Sequence, residues 1–225
     1  MKARAWPLAT LIFGLATLGF FVALGSQPEV TAIYERSQIS QAVSAFQRAE
    51  TMSDIVFVFG SPVDERVVAA QNAINTLDLY GFIPAYALFL VAAAIMLGGP
   101  RNRWTQAAIV FGLLGAAFDA VETWKQLQLT ADIDNAEAHL PIATWHWLKY
   151  LALALNGVAV TSLALTGEKR RWVLAVIAFL PLPAVAIAYM DLAPVTAFSA
   201  AFALYWISLL VFSVIELVRA KGSPA

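Results

Sequence analysis

The chain contains no cysteine. That absence excludes disulfides, thiol catalysis, iron–sulfur clusters and thioether haem attachment. Histidine occurs only at His139 and His146, which leaves too few imidazoles for a multi-histidine metal site. The sequence therefore predicts no metal and no cofactor. Charge is scarce as well. Only 13% of residues are charged and 60% are hydrophobic, whereas a soluble domain is about a quarter charged and about half apolar. A net charge of −1 supplies no basic surface, so no nucleic-acid partner is expected. The motifs G-x-S-x-G and H-E-x-x-H are also missing, which removes the commonest signatures of covalent and zinc-assisted hydrolysis.

What the chain has in abundance is long apolar runs. Six stretches stand out, at 6–25, 79–98, 104–124, 144–166, 172–190 and 194–218. Each is near the roughly 20 residues that cross about 30 Å of hydrocarbon. The expected fold is an all-α integral membrane protein, a bundle of six transmembrane helices with a helical extracytoplasmic insert between the first two. Its expected domains are a first transmembrane helix at 1–25, an amphipathic insert at 26–78 and a five-helix transmembrane bundle at 79–225. Asp191 and Pro194 break the run between the last two spans into a tight hairpin.

Lysine and arginine set the orientation. Lys2, Arg4, Arg101, Arg103, Lys169, Arg170, Arg171, Arg219 and Lys221 fall at one set of span ends. Arg36, Arg48, Arg66, Lys125 and Lys149 are spread over the longer segments on the other side. The positive-inside rule then puts both termini in the cytoplasm, and the expected location is a bacterial inner membrane. Trp6, Trp104 and Trp172 at inner ends, and Trp124, Trp145 and Trp147 at outer ends, match the interfacial preference of indole. Trp206 falls in mid-span, where packing against a neighbouring helix is expected. The first span also reads as a signal peptide, with "MKAR" before the apolar run and "ALG" before Ser26. Its apolar run exceeds a usual signal core, which favours a retained anchor.

The insert carries two helix signals. Val30, Ile33, Tyr34, Val43 and Phe46 recur near helical spacing. In "SPVDERVVAAQNAINTL", Ser61 is the expected N-cap and Pro62 the first helical residue, with Asp64 and Glu65 in the first turn. "DIVFVFG" between them has no partner strand and reads as helix or membrane-surface contact. About fifty residues bury little core alone, so the insert is expected to dock on the spans. In the fifth span, Pro181 and Pro183 free backbone carbonyls and predict a kink.

The third span holds the feature that points to function. Thr105, Ala108, Gly112, Gly115, Asp119, Glu122 and Gln126 form one stripe of small or polar residues. Ile109, Val110, Phe111, Leu113, Leu114 and Phe118 lie opposite. Such a stripe faces protein rather than lipid. Asp119 stands fifteen residues beyond Trp104, about 22 Å along the axis and toward the outer edge of the slab. A carboxylate at that depth is paired or protonated. The fourth span returns antiparallel and offers His146, Lys149 and Asn156 on one face. Asp78, Tyr80 and Tyr86 of the second span, and Tyr189 and Asp191 of the fifth, extend the expected cluster.

The expected site is thus Asp119, Glu122, Lys149, His146, Asp78, Tyr86, Asn156 and Asp191. Its first reading is a site that binds or transports a small molecule, lipid or cation. Other readings are a structural ion pair, an accessory or scaffolding subunit of a larger membrane complex, and an intramembrane acid/base enzyme using a carboxylate with His146. The expected partners are the lipid bilayer, a small-molecule or lipid ligand, and a membrane protein. The acidic loop Asp132–His139 has a loosely calcium-like look, but it lacks the glycine and terminal glutamate of an EF-hand loop and reads as solvated.

Overall fold

The computed structural model describes residues 2–34, 39–167, 170–192 and 195–222. Arg36, Lys169 and Pro194, used above for orientation and for the last turn, lie outside the described residues. The described residues are all-helical. In chain order they form α1 (Lys2–Gly25), α2 (Pro28–Tyr34), α3 (Ile39–Gln47), α4 (Met52–Phe59), α5 (Glu65–Leu77), a π-helical turn (Asp78–Phe82), α6 (Ile83–Gly98), α7 (Arg103–Ala131), a 3₁₀ turn (Ile133–His139), α8 (Ala143–Thr166), α9 (Trp172–Phe179), α10 (Pro181–Tyr189) and α11 (Val195–Gly222). Among them are six helical stretches long and apolar enough to cross a membrane.

Local chemistry explains the breaks. Between α9 and α10, Leu180 keeps helical angles (φ −53°, ψ −36°). Pro181 has no N–H to give the carbonyl four residues back, so the hydrogen-bond ladder lapses while the backbone stays helical. After α10, Asp191 takes a left-handed φ of 54°. The Leu192 amide then donates to the Ile187 carbonyl at 3.0 Å and the Asp191 amide to Ala188 at 3.1 Å. This is a Schellman stop, with aspartate in the place glycine usually holds.

One expected helix start is corrected. Ser61 does not cap the helix and Pro62 does not open it; they meet in a cis peptide bond within the preceding turn. The helix begins at Glu65, because the Asp64 carboxylate accepts the Arg66 amide as N-cap. "DIVFVFG" is helical and has its own capping box. Thr51 accepts from the Asp54 amide, and the Asp54 carboxylate accepts from the Thr51 amide at 2.8 Å. The Asp54 carboxyl is held below its ordinary value chiefly by the Glu50 amide, with Thr51 adding to the effect.

The chain divides into two compact units: Met1–Thr17, Ala85–Ala116 and Tyr150–Ala225 form one, Leu18–Pro84 and Ala117–Lys149 the other. In the first, small residues let helices approach closely. A side chain added at Gly112 would meet Asn156 and Leu90, and one at Gly115 would meet Leu153. Thr105 and Ala108 on the same stripe are fully buried, while Val110, Leu113 and Leu114 opposite are exposed. That is the division expected of a helix with one face toward protein. Trp206 packs on Tyr86, ring centroids 5.2 Å apart, and edge-on to Phe89 at 6.4 Å.

In the second unit α3 and α4 bury a core of Phe46, Ile55, Val58 and Phe59 with Leu129 and Ile142. Phe46 and Phe59 meet edge to face at 5.0 Å. The Ala49 carbonyl accepts the amides of Ile142 and Ala143 at 2.9 and 3.3 Å, which ties the end of α3 to the start of α8. Helix α7 runs seven residues past the expected end of its span, to Ala131. Those extra turns are what bring Leu129 into this core.

Candidate functional site

The site lies within the second unit and is built on helical spacing. Asp119 and Glu122 are three residues apart on α7, as are His146 and Lys149 on α8, so each pair shares a face. Those faces meet. Lys149 Nζ lies 2.9 Å from Asp119 Oδ1 and 2.7 Å from Glu122 Oε2. His146 Nδ1 stands 3.3 Å from Glu122 Oε1. All four side chains are buried, Glu122 at 1% exposure and the others at 4–5%.

A third carboxylate joins at the rim. Asp78 opens the π-helical turn that follows α5. It is half-buried, accepts a hydrogen bond from Thr123 Oγ1 at 3.0 Å, and lies in the electrostatic reach of Asp119, Lys149 and Glu122. Arg48 is a further cation within reach of His146; it is engaged with Ser44, whose carbonyl and hydroxyl both accept from it at 3.2 Å.

Charge accounting decides what this arrangement can do. Among the described residues, Asp119 and Glu122 lie against the Lys149 ammonium with Asp78 in its electrostatic reach, and His146 and Arg48 lie beyond. These three carboxyls outnumber the one ammonium beside them, so ionising all three would leave that group of four side chains net negative. Unmatched charge away from water is costly, and Coulomb energies grow several-fold where the effective dielectric falls. Among the described residues, no group of three or more His, Asp or Glu side chains is arranged to hold a metal ion. Lys149 already occupies the position between Asp119 and Glu122.

The other expected residues have contacts of their own. Asn156 is bound within the first unit, where its Nδ2 donates to the Ala108 carbonyl at 2.7 Å and its Oδ1 accepts from Tyr205 Oη at 2.7 Å. Tyr86 belongs to the aromatic contact with Trp206. Asp191 is the exposed C-terminal stop of α10.

Some contributors are not evident from spacing alone. Thr123 fixes Asp78, and Thr130 Oγ1 donates to Asn72 Oδ1 at 2.5 Å. Asn72, Asn75 and Asp78 recur every third residue, a signal that marks a polar helix face. The same unit holds an open cavity of about 550 Å³, lined by Phe20, Gln27, Asn72, Thr76, Tyr80 and Gly81 among others.

Comparison with known proteins returns no matching family model, no matching curated protein and no matching solved structure.

Proposed function

We propose that this protein is a multi-pass inner-membrane protein that binds or transports a small molecule, lipid headgroup or cation at the Asp78–Asp119–Glu122–Lys149–His146 cluster. The observation that carries the reading is the concentration of acid there: among the described residues, Asp119 and Glu122 grip Lys149 and a third carboxyl, Asp78, lies within its electrostatic reach. A cationic or protonated group on the ligand would match that surplus, and Lys149 would serve as the counter-charge the ligand loosens. The positive-inside argument puts the insert and the cluster on the outer side, with both termini cytoplasmic, so the ligand would enter from outside. Intramembrane ionisable groups commonly mark such pathways.

Native mass spectrometry on protein gently extracted from its own membrane tests this reading. The expected result is a reproducible non-protein mass, lost in Asp119→Asn or Glu122→Gln while the variant stays folded. A stoichiometric protein partner with no such adduct would instead make the cluster helix glue in an accessory subunit. That is the second reading, and the two-pronged grip of Lys149 on Asp119 and Glu122 favours it over an enzyme.

A further inference from the structure

A polar seam runs away from the cluster inside the same unit. Two hydrogen bonds fix it. Asp78 on the turn after α5 meets Thr123, and Asn72 on α5 meets Thr130. The numbers rise on one side as they fall on the other, so the two segments run antiparallel. Asn75 and Gln126 lie midway between these rungs and therefore occupy facing positions. Their exposures are 4% and 2%. The Asn75 Nδ2 and Gln126 Nε2 atoms find no hydrogen-bond partner among the described residues.

Two buried amide donors without an acceptor are unusual, because nearly all buried polar groups are paired with protein or ordered water. Leaving such a donor unmade costs about 1–3 kcal/mol. Amide nitrogens call for an oxygen acceptor, and a site with several polar partners is where internal water is retained. The seam also has two definite ends. Asn72 lines the open cavity. Gln126 lies one helical turn beyond buried Glu122. From Thr130, the partner of Asn72, to Glu122 the rise is about 12 Å along the helix, a length that about four hydrogen-bonded steps of about 3 Å would cover.

We infer that Asn75 and Gln126 hold a short chain of water molecules that carries protons between the open cavity and Glu122. The inference rests on the preceding reading, in which the cluster gains and loses positive charge. No titratable group lies on the seam between its rungs, where Asn75 and Gln126 provide only amide donors and acceptors. The groups facing Glu122 are Lys149, His146, Asp119 and Asp78, with Arg48 beyond His146. Asp78 is the competing point of entry, because it is half-buried at the rim.

Time-resolved infrared spectroscopy on the full-length protein in liposomes tests the route. A caged compound releases protons by a light pulse, and the response of the cluster carboxyls is followed, assigned by its loss in Glu122→Gln and Asp119→Asn. In Asn75→Leu/Gln126→Met the response should slow by about tenfold or more, as expected for a barrier raised by about 1.4 kcal/mol. Gln126→Met alone preserves side-chain shape and should slow it in the same direction. Asn75→Ser, which keeps a polar group and leaves room for water, should retain the wild-type rate; a purely structural amide contact would not be rescued this way. Equal rates in wild type and the apolar double variant would overturn the route and place entry at Asp78, leaving the reading of the cluster intact. A wild-type cluster that never responds to the released proton would overturn both.

Discussion

Replacing Lys149 by methionine is expected to cost about 3–5 kcal/mol, the usual penalty for removing one partner of a buried ion pair. Methionine roughly preserves the volume of the stem and removes only the ammonium. Asp119 and Glu122, which that ammonium holds at 2.9 and 2.7 Å, would then face each other and Asp78 with no cation between them. Against a total stability of about 5–15 kcal/mol, this is a large fraction. The loss should be read as the temperature at which half of the detergent-solubilised protein leaves its monodisperse peak. The double variant Lys149→Met/Glu122→Gln should recover part of the loss, because it removes one stranded charge along with its partner. An unchanged melting temperature in Lys149→Met would mean that the ion pairs contribute nothing to holding α7 against α8.

The second large effect is steric and belongs to the other unit. A side chain added at Gly157 of α8 would run into the backbone carbonyl oxygen of Ala178 on α9. A flexible side chain could swing away, but a carbonyl in a helix cannot, so the two helices must separate. Gly157→Ala should therefore cost at least the roughly 1–3 kcal/mol typical of overpacking, and Gly157→Val more. Gly19→Ala is the matched control, because nothing lies within 4 Å of its added carbon. The same thermal assay should show a clear drop for Gly157→Ala and none for Gly19→Ala. Equal behaviour of the two would show that α8 and α9 do not approach as closely as the structure has them.

Hydropathy and helical spacing reveal much of this architecture before any coordinates. The six apolar stretches can be read from composition, and the buried stripe of α7 from its small and polar residues. Consecutive spans run antiparallel, so His146 and Lys149 are natural partners for Asp119 and Glu122. What spacing cannot supply is the partner of each polar residue. Asn156 shares a helical face with Lys149 but lies seven residues away, about 10 Å along the axis. It is satisfied there by Ala108 and Tyr205. Asp191 looks like a site residue because it ends a span near the expected outer face. In the structure it ends α10 with a left-handed φ of 54°. In the sequence the Asn72–Asn75–Asp78 face reads as the solvated side of a polar helix. Its burial depends on α7 continuing to Ala131, beyond the point where hydropathy marks the end of the span. The π-helical turn at Asp78 adds a further shift of register, since such turns break the 3.6-residue period on which sequence reading relies.

On the proposed reading the cluster holds more acid than Lys149 can balance. Thermal stability of Asp78→Asn, measured without added ligand, tests it most directly. Asparagine keeps an oxygen to accept the Thr123 hydroxyl and removes a titratable carboxyl from the neighbourhood of Asp119 and Glu122. With surplus acid, the substitution should leave the melting temperature unchanged or raise it, in contrast to Lys149→Met. A drop of several degrees, comparable to that of Lys149→Met, would mean that every charge in the cluster is already matched and that its carboxylates serve only to hold helices together.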